Sequence, residues 1–212
     1  MTDKGWPDGF SHHPLHFGPE QQADLVDCVR KAVRTAPFFQ PRMPGSGTPT
    51  SVVMTNFGPL GWVASREGYR YRSRHPDTHR PWPAMPPMLL DAWRALTGYS
   101  APPECGLVNW YREDRDARMG YHIDADEDAR DAPILSISLG DPATYRLGNT
   151  TRGGKTRGLK LMSGDALVLA GPARRRYHAV TKVFWGESAL VSTHGFPPGG
   201  RMNLTLRRVT RP

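Results

Sequence analysis

Two histidines and one aspartate have residue types and spacing that could hold a metal ion. His122 and Asp124 are two positions apart in one strand-like segment, and His178 follows in a later one. Side chains two apart on a strand point the same way, so the imidazole and the carboxylate would project into one site. Two histidines and one carboxylate are typical of non-haem iron(II) centres, where open positions remain for a co-substrate and O2. Ordinary core or surface histidines are the alternative at this point.

A second polar set lies near the carboxyl end of the chain. Strand alternation places four polar side chains on one face: Arg201, Asn203, Thr205 and Arg207. Leu204 and Leu206 face the opposite way, and Arg208 has the parity of a residue outside the interior. Two buried guanidinium groups are costly unless anions neutralise them. A small dicarboxylate such as 2-oxoglutarate would do so, with one end paired to arginine and the other at the metal.

The elements that would position these residues are two helices and many short strands. An apolar stripe after Pro19 predicts one helix that ends before Pro37, and a second stripe from Met88 predicts a helix closed by Gly98. The strands are predicted at Gly106–Tyr111, Gly120–Asp124, Ile134–Leu139, Thr144–Leu147, Gly158–Met162, Ala166–Ala170, Tyr177–Val180, Ala189–Thr193 and Arg201–Val209. Close spacing of short strands favours a sandwich or barrel over a parallel sheet.

The fold class is therefore mainly β (α+β), with a double-stranded β-helix or jelly-roll core supported by N-terminal helices. We expect a single domain over 1–212, with an irregular lead-in over 1–18 and the jelly-roll core over about 105–209. Residues 50–74 are predicted to form extended segments. There Tyr69 and Tyr71 alternate with arginines, which suits bases and phosphates, although a half-buried strand with a solvated basic face would look the same.

Composition indicates a basic, globular protein. The 212 residues carry a net charge of +8, which suggests a polyanionic partner such as nucleic acid, or simply a basic protein. Cys28 and Cys105 form no metal-type pair, so a reducing cytoplasmic location is expected. We predict no signal peptide and no membrane association, because the chain contains no apolar run of sufficient length.

The order of several motifs resembles the AlkB family of nucleic-acid dealkylases, and its bacterial branch in particular. The resemblance rests on Met54–Asn56, Gly61–Trp62, Gly68–Tyr71, Pro81–Pro86, Asn109–Tyr111, His122–Glu127, Ala132–Gly140, Ser163–Asp165, Tyr177–His178 and Arg201–Arg207. It covers nearly the whole chain beyond the first residues, and the combination is highly specific.

The resemblance implies an Fe(II)- and 2-oxoglutarate-dependent dioxygenase that uses O2 to remove alkyl groups from damaged bases of the 1-methyladenine or 3-methylcytosine type. It implies iron ligation by His122, Asp124 and His178. It also implies that 2-oxoglutarate is held by Asn109, Tyr111, Arg201, Asn203 and Arg207. The implied substrate residues are Trp62, Tyr69, Tyr71, Asp126 and Arg152, in or beside a lid over about 50–80. Aromatic faces and the Asp126 carboxylate would suit a cationic alkylated base.

Two departures from the family pattern stand near the distal histidine. Leu169 takes the place of the usual tryptophan, which we expect to loosen the preference among lesions. The run Arg174–Arg176 is more basic than the family pattern, and we expect it to strengthen contact with phosphates.

Other substrates and one other class of function stay open at the level of sequence. The same chemistry could act on RNA or on a protein side chain instead of single-stranded or duplex DNA. A non-catalytic jelly-roll module that binds nucleic acid or metal is the alternative outside enzymology. A monomer is the default expectation.

Overall fold

In residues 5–212, the part of the chain that the computed structural model describes, twelve strands form two antiparallel sheets and a separate hairpin. In spatial order, the larger sheet contains β1 (Phe10–His13), β10 (Ala166–Leu169), β7 (Ile134–Gly140), β12 (Gly200–Arg207), β5 (Cys105–Arg112) and β2 (Val53–Phe57). The smaller sheet contains β6 (Met119–His122), β11 (His178–Val183), β8 (Ala143–Leu147) and β9 (Arg157–Leu161). The hairpin pairs β3 (Gly61–Ser65) with β4 (Gly68–Arg72). This is the predicted jelly-roll architecture.

Three helices accompany the sheets: α1 (Pro19–Ala32), α2 (Pro87–Thr97) and α3 (Leu190–Thr193). Gly98 ends α2 at a φ of 63°, a left-handed conformation that glycine adopts without strain, as the sequence predicted. None of the helices in residues 5–212 is long and apolar enough to cross a membrane.

The main apolar core lies between the larger sheet and the helices. Leu204 and Leu206 of β12 pack in one cluster with Leu25 of α1 and Trp93 of α2. The polar residues that alternate with these leucines point to the other side of β12, into a cavity that residues of the smaller sheet also line. The predicted parity of the last strand is confirmed. It explains how one strand serves both the core and the cavity.

Three predictions about local structure are wrong. The lead-in over 1–18 is not irregular throughout, because Phe10–His13 pair with β10 as an edge strand; residues 1–4 lie outside the described range. Ala189–Thr193 is not a strand but contains α3, whose turn is closed by hydrogen bonds such as that from the Thr193 amide to the Ala189 carbonyl.

The third wrong prediction concerns the lid. Residues 50–80 do not form one unit, because β2 belongs to the larger sheet, where it pairs with β5. Only the β3–β4 hairpin stands apart from the two sheets. The jelly roll therefore includes β1 and β2, which lie well before the expected start near residue 105.

We predict that β1 contributes to stability through Phe10. Its side chain is 9% exposed and its ring stacks on Trp6 with centroids 4.2 Å apart. Phe10→Ala should lower the free energy of unfolding by about 3 kcal/mol in urea denaturation. Leu15→Ala, at a residue that is 68% exposed, should change it by less than about 0.5 kcal/mol. Equal stability of both variants would mean that β1 does not belong to the core.

Candidate active site

The structure brings His122, Asp124 and His178 together. His122 is the last residue of β6, His178 is the first of β11, and the two are direct partners across these strands. Asp124 follows two residues after β6. One potential ligand atom from each side chain lies within 4.8 Å of the other two. The predicted triad therefore converges on one point.

Each histidine is oriented by its own backbone. The Nδ1 atom of His122 is 2.8 Å from the Gly120 carbonyl oxygen, and Nδ1 of His178 is 3.1 Å from that of Arg176. A ring that donates from Nδ1 keeps the lone pair of Nε2 for a metal. Burial lowers the pKa of His178 to about 4, so this ring is neutral and able to coordinate at neutral pH.

Asp124 is a buried carboxylate surrounded by cationic or polar nitrogen atoms. Its oxygens lie 3.7 Å from Nε2 of His122, 3.9 Å from Nε2 of His178 and 3.0 Å from Nη2 of Arg207. Burial alone would raise the pKa of Asp124. The guanidinium of Arg207, followed by the two histidines, outweighs that effect and holds the pKa below its ordinary value. Asp124 is therefore ionised, as a metal ligand must be.

The donor set fits Fe(II). Two imidazole nitrogens and one carboxylate oxygen are the ligands typical of non-haem iron centres. All three residues line the same cavity, which leaves room there for further ligands of the metal.

Beside the triad lies a cavity of about 270 Å³ between the two sheets. The larger sheet contributes Asn109 and Tyr111 from β5 and Arg201 and Arg207 from β12, while the smaller sheet contributes His178. The residues predicted to hold 2-oxoglutarate thus surround one space that borders the metal ligands.

Arg201 is the clearest sign that this cavity receives an anion. Its side chain is fully buried and donates to Ser138 Oγ at 2.7 Å, yet no carboxylate of residues 5–212 lies within 4.0 Å of it. Burial disfavours the charged guanidinium and lowers the pKa of Arg201 below its ordinary value. A bound carboxylate would offset that cost of burial.

The two predicted amides differ in their roles. Asn109 has a buried Oδ1 atom without a hydrogen-bond partner in residues 5–212. In contrast, the Asn203 amide nitrogen donates to Ser136 Oγ at 2.7 Å and to the Ile137 carbonyl at 3.1 Å. Asn109 is therefore free to meet a ligand, whereas Asn203 is tied to β7.

Trp62, Tyr69 and Asp126 also line the cavity. Trp62 and Tyr69 stack with ring centroids 5.2 Å apart, and Tyr69 is 45% exposed. The indole Nε1 of Trp62 donates to Asp126 Oδ2 at 2.8 Å. An aromatic face and a carboxylate thus meet at the solvent-facing end of the cavity, which we call the mouth.

Tyr71 and Arg152, which were predicted to contact the substrate, do not line the cavity. The Tyr71 hydroxyl donates to the Glu127 carboxylate and accepts from Arg207 Nη1 at 3.3 Å. The Tyr71 side chain therefore points from the hairpin toward these buried charges. Arg152 is exposed, and its guanidinium lies over the Tyr177 ring at 5.3 Å.

Sequence reasoning missed the role of Glu127 and misassigned that of Arg174. Arg174 is 4% exposed and donates to Glu127 Oε2 at 2.8 Å, to the Ala132 carbonyl at 3.0 Å and to the Asp124 carbonyl. It braces the loop that carries Asp124 and is not accessible to a phosphate, so the expected phosphate contact is wrong for Arg174 and stays a prediction for the rest of the run. Only Arg175 of the basic run is exposed. The adjacent acid in Asp126-Glu127 was the one available signal for a buried partner.

Comparison with protein families gives a match over most of the chain. Residues 9–207 match the model of the 2OG-Fe(II) oxygenase superfamily.

Individual relatives point the same way. The chain is 48% identical over 200 residues to the alpha-ketoglutarate-dependent dioxygenase AlkB homolog of Caulobacter vibrioides. The aligned region covers 94% of this chain and 87% of that relative. It is 36% identical over 188 residues to the alpha-ketoglutarate-dependent dioxygenase AlkB of Escherichia coli K12, covering 87% and 83%. The solved structure of OsALKBH1 superposes with a TM-score of 0.77 at 24% identity, over 96% of this chain and 99% of that one, and so supports the fold.

The burial of Arg174 generates a stability prediction. Arg174→Met would leave the buried Glu127 carboxylate without its closest cation, so we expect a loss of about 3–5 kcal/mol in the free energy of unfolding. The matched control is Arg175→Met, which removes an exposed arginine one residue away and should cost less than about 0.5 kcal/mol. Urea denaturation of the two variants measures the difference. A wild-type value for Arg174→Met would refute the bracing role.

Proposed function

The chain belongs to the AlkB family within the 2OG-Fe(II) oxygenase superfamily, and on that premise we propose that it removes alkyl groups oxidatively from N-alkylated nucleic-acid bases. It is an Fe(II)- and 2-oxoglutarate-dependent dioxygenase. One observation supports the proposal above the others. The His-Asp-His triad borders a cavity that two buried arginines line and that has an aromatic pair with a carboxylate at its mouth.

His122, Asp124 and His178 are the proposed iron ligands, and the cavity is the proposed co-substrate site. Arg207 lies 3.0 Å from Asp124, so it would meet the carboxylate of 2-oxoglutarate that is nearer the metal. Arg201 is anchored by Ser138 and by the Asp141 carbonyl, and it would meet the other carboxylate. Asn109 and Tyr111 complete the polar wall, and Asn203 keeps β12 and β7 in register beside it.

When bound, iron with 2-oxoglutarate and O2 supplies the oxidation of the alkyl carbon. The protein supplies position and electrostatics. Backbone carbonyls fix both imidazole rings, Arg207 keeps Asp124 ionised, and Arg174 holds the Asp124 loop from below. Hydroxylation of a carbon attached to a base nitrogen gives an unstable hemiaminal that releases an aldehyde. No group of the protein needs to act as a nucleophile.

The mouth suits a base that carries a positive charge. Methylation of adenine at N1 or of cytosine at N3 makes the ring cationic, which distinguishes it from the normal base. Trp62 and Tyr69 offer ring faces for stacking, and Asp126 offers a countercharge and an acceptor for the exocyclic amine. Tyr71 has a positioning role instead of a substrate contact. Its hydroxyl bonds Glu127 and so holds the hairpin that carries Trp62 and Tyr69 at the cavity.

DNA is the proposed substrate, in single-stranded or duplex form, and RNA is the specific competitor. The chain is 30% identical over 130 residues to the tRNA demethylase abh1 of Schizosaccharomyces pombe, although only 58% of this chain and 42% of that protein align. Arg152 and Arg175 are exposed cations that could contact the flanking strand.

A single domain and a monomer are proposed as the working unit, since residues from both sheets of the same chain surround the cavity. A cytoplasmic setting would keep Cys28 and Cys105 as free thiols.

Formaldehyde release tests the proposed reaction. We expect the wild-type protein with Fe(II), ascorbate and 2-oxoglutarate to release formaldehyde from oligonucleotides that contain 1-methyladenine or 3-methylcytosine. Matched DNA and RNA strands should show faster release from DNA. Asp124→Ala should reduce the rate at least about 100-fold, because it removes an iron ligand. The exposed Asp131→Ala serves as the control and should keep the wild-type rate. Turnover by Asp124→Ala at the wild-type rate would refute the assignment of the site.

The charge of Asp126 should determine the preference for cationic lesions. Asp126→Asn keeps the size and an acceptor oxygen but removes the charge, so kcat/KM for 1-methyladenine should fall about fivefold, the equivalent of about 1 kcal/mol for a partly exposed ion pair. The value for neutral 3-methylthymine should not fall. Asp128→Asn, at an exposed acid outside the cavity, is the control. An equal loss for both lesions would contradict a countercharge role.

A further inference from the structure

Buried polar atoms without a partner are concentrated in the co-substrate cavity. Across residues 5–212, six buried side-chain nitrogen or oxygen atoms lack a hydrogen-bond partner. Four of the six belong to residues that line this cavity: Asn109, Tyr145, Arg201 and Arg207. Because a buried polar group without a partner is costly, their concentration in residues of one cavity indicates the position of a polar ligand. The Tyr145 hydroxyl and Arg201 Nε are donors that an anion could satisfy, whereas Arg207 Nε already lies 3.6 Å from Glu127 Oε1 and Asn109 Oδ1 is an acceptor.

Three of these four residues already have a proposed role in holding 2-oxoglutarate, and Tyr145 has none. Tyr145 lies in the middle of β8, where Ala143, Tyr145 and Leu147 are buried and the residues between them are partly exposed. Its side chain is directed between the sheets, 5% exposed, with its ring centroid 5.9 Å from that of His178. The phenol therefore stands at the cavity wall next to a proposed iron ligand.

The surroundings of Tyr145 distinguish it from the residues at the mouth. It packs in one apolar cluster with Leu161, Leu167 and Leu169, whereas Trp62 and Tyr69 belong to the hairpin and to no part of that cluster.

We propose that the Tyr145 hydroxyl donates a hydrogen bond to a carboxylate oxygen of 2-oxoglutarate and is a co-substrate-binding residue of this chain. A phenol keeps its proton at neutral pH, and an ionised carboxylate is the strongest acceptor that could enter the cavity. The contact rests on the proposed function, because it requires 2-oxoglutarate to occupy this space. It adds a donor from the smaller sheet to a set that otherwise comes from β5 and β12.

Tyr145→Phe tests the contact, because it removes only the hydroxyl. The measurement is the Kd of 2-oxoglutarate by titration calorimetry on the Mn(II)-loaded protein, which requires no turnover. We expect the Kd to rise about tenfold, the usual loss for one hydrogen bond to a charged group. The affinity for Mn(II) alone should stay unchanged. The free energy of unfolding of the metal-free protein should not decrease, since the hydroxyl makes no hydrogen bond there that a structural role would need.

Two comparisons separate this inference from the proposed function. Tyr99→Phe removes a hydroxyl that bonds Asp131 on the surface, and it should leave the Kd of 2-oxoglutarate at the wild-type value. If the wild-type protein with Mn(II) does not bind 2-oxoglutarate, the proposed function fails. If the wild-type protein binds it and Tyr145→Phe binds equally well, the role of Tyr145 alone is overturned. A drop in stability of metal-free Tyr145→Phe would likewise overturn it in favour of a structural hydrogen bond.

Discussion

The buried carboxylate of Asp124 is the interaction on which the rest of the site depends. It faces His122, His178 and Arg207 at once, so it joins the metal ligands to the co-substrate cavity. A buried carboxylate would be unstable without the Arg207 cation, and a buried Arg207 would be unstable without such an anion. Glu127 extends the same network, because it pairs with Arg174 and accepts from the Tyr71 hydroxyl of the hairpin. One set of buried charges therefore connects metal ligands, cavity and substrate mouth.

Sheet register gives this network its geometry. Direct pairing of His122 with His178 brings together residues that are 56 positions apart, with ring centroids 4.3 Å from one another. On the opposite wall, alternation along β12 directs Arg201 and Arg207 into the cavity while Leu204 and Leu206 enter the core against α1 and α2. A slip of one residue would exchange these sets, burying the arginines in an apolar core. The apolar core thus fixes the position of the charged residues.

Much of this could be predicted from the sequence, because period-two patterns are local. The parity of Arg201–Arg207, the two main helices and the glycine that ends α2 follow from such patterns.

The predictions that failed concern residues whose partners are distant in sequence. His12 bonds Asp165, 153 positions away, and β1 pairs with β10, so the first residues looked irregular in isolation. Arg174 looked like part of a basic surface because its partner Glu127 is 47 positions upstream. Tyr145 has no distinguishing neighbours in sequence, and only the unpartnered hydroxyl in the fold draws attention to it. The effect of Leu169 on lesion preference stays a prediction, although the residue does line the cavity.

The most direct test of the account is the visible absorption of the protein when Fe(II) and 2-oxoglutarate are added without oxygen. Chelation of iron by a 2-oxo acid at a site of two imidazoles and one carboxylate should produce a charge-transfer band that saturates at one iron per chain. The band should disappear when His178 is replaced by alanine. A wild-type protein that shows no band at saturating iron and 2-oxoglutarate would contradict the claim that these three side chains share one ion beside a co-substrate site.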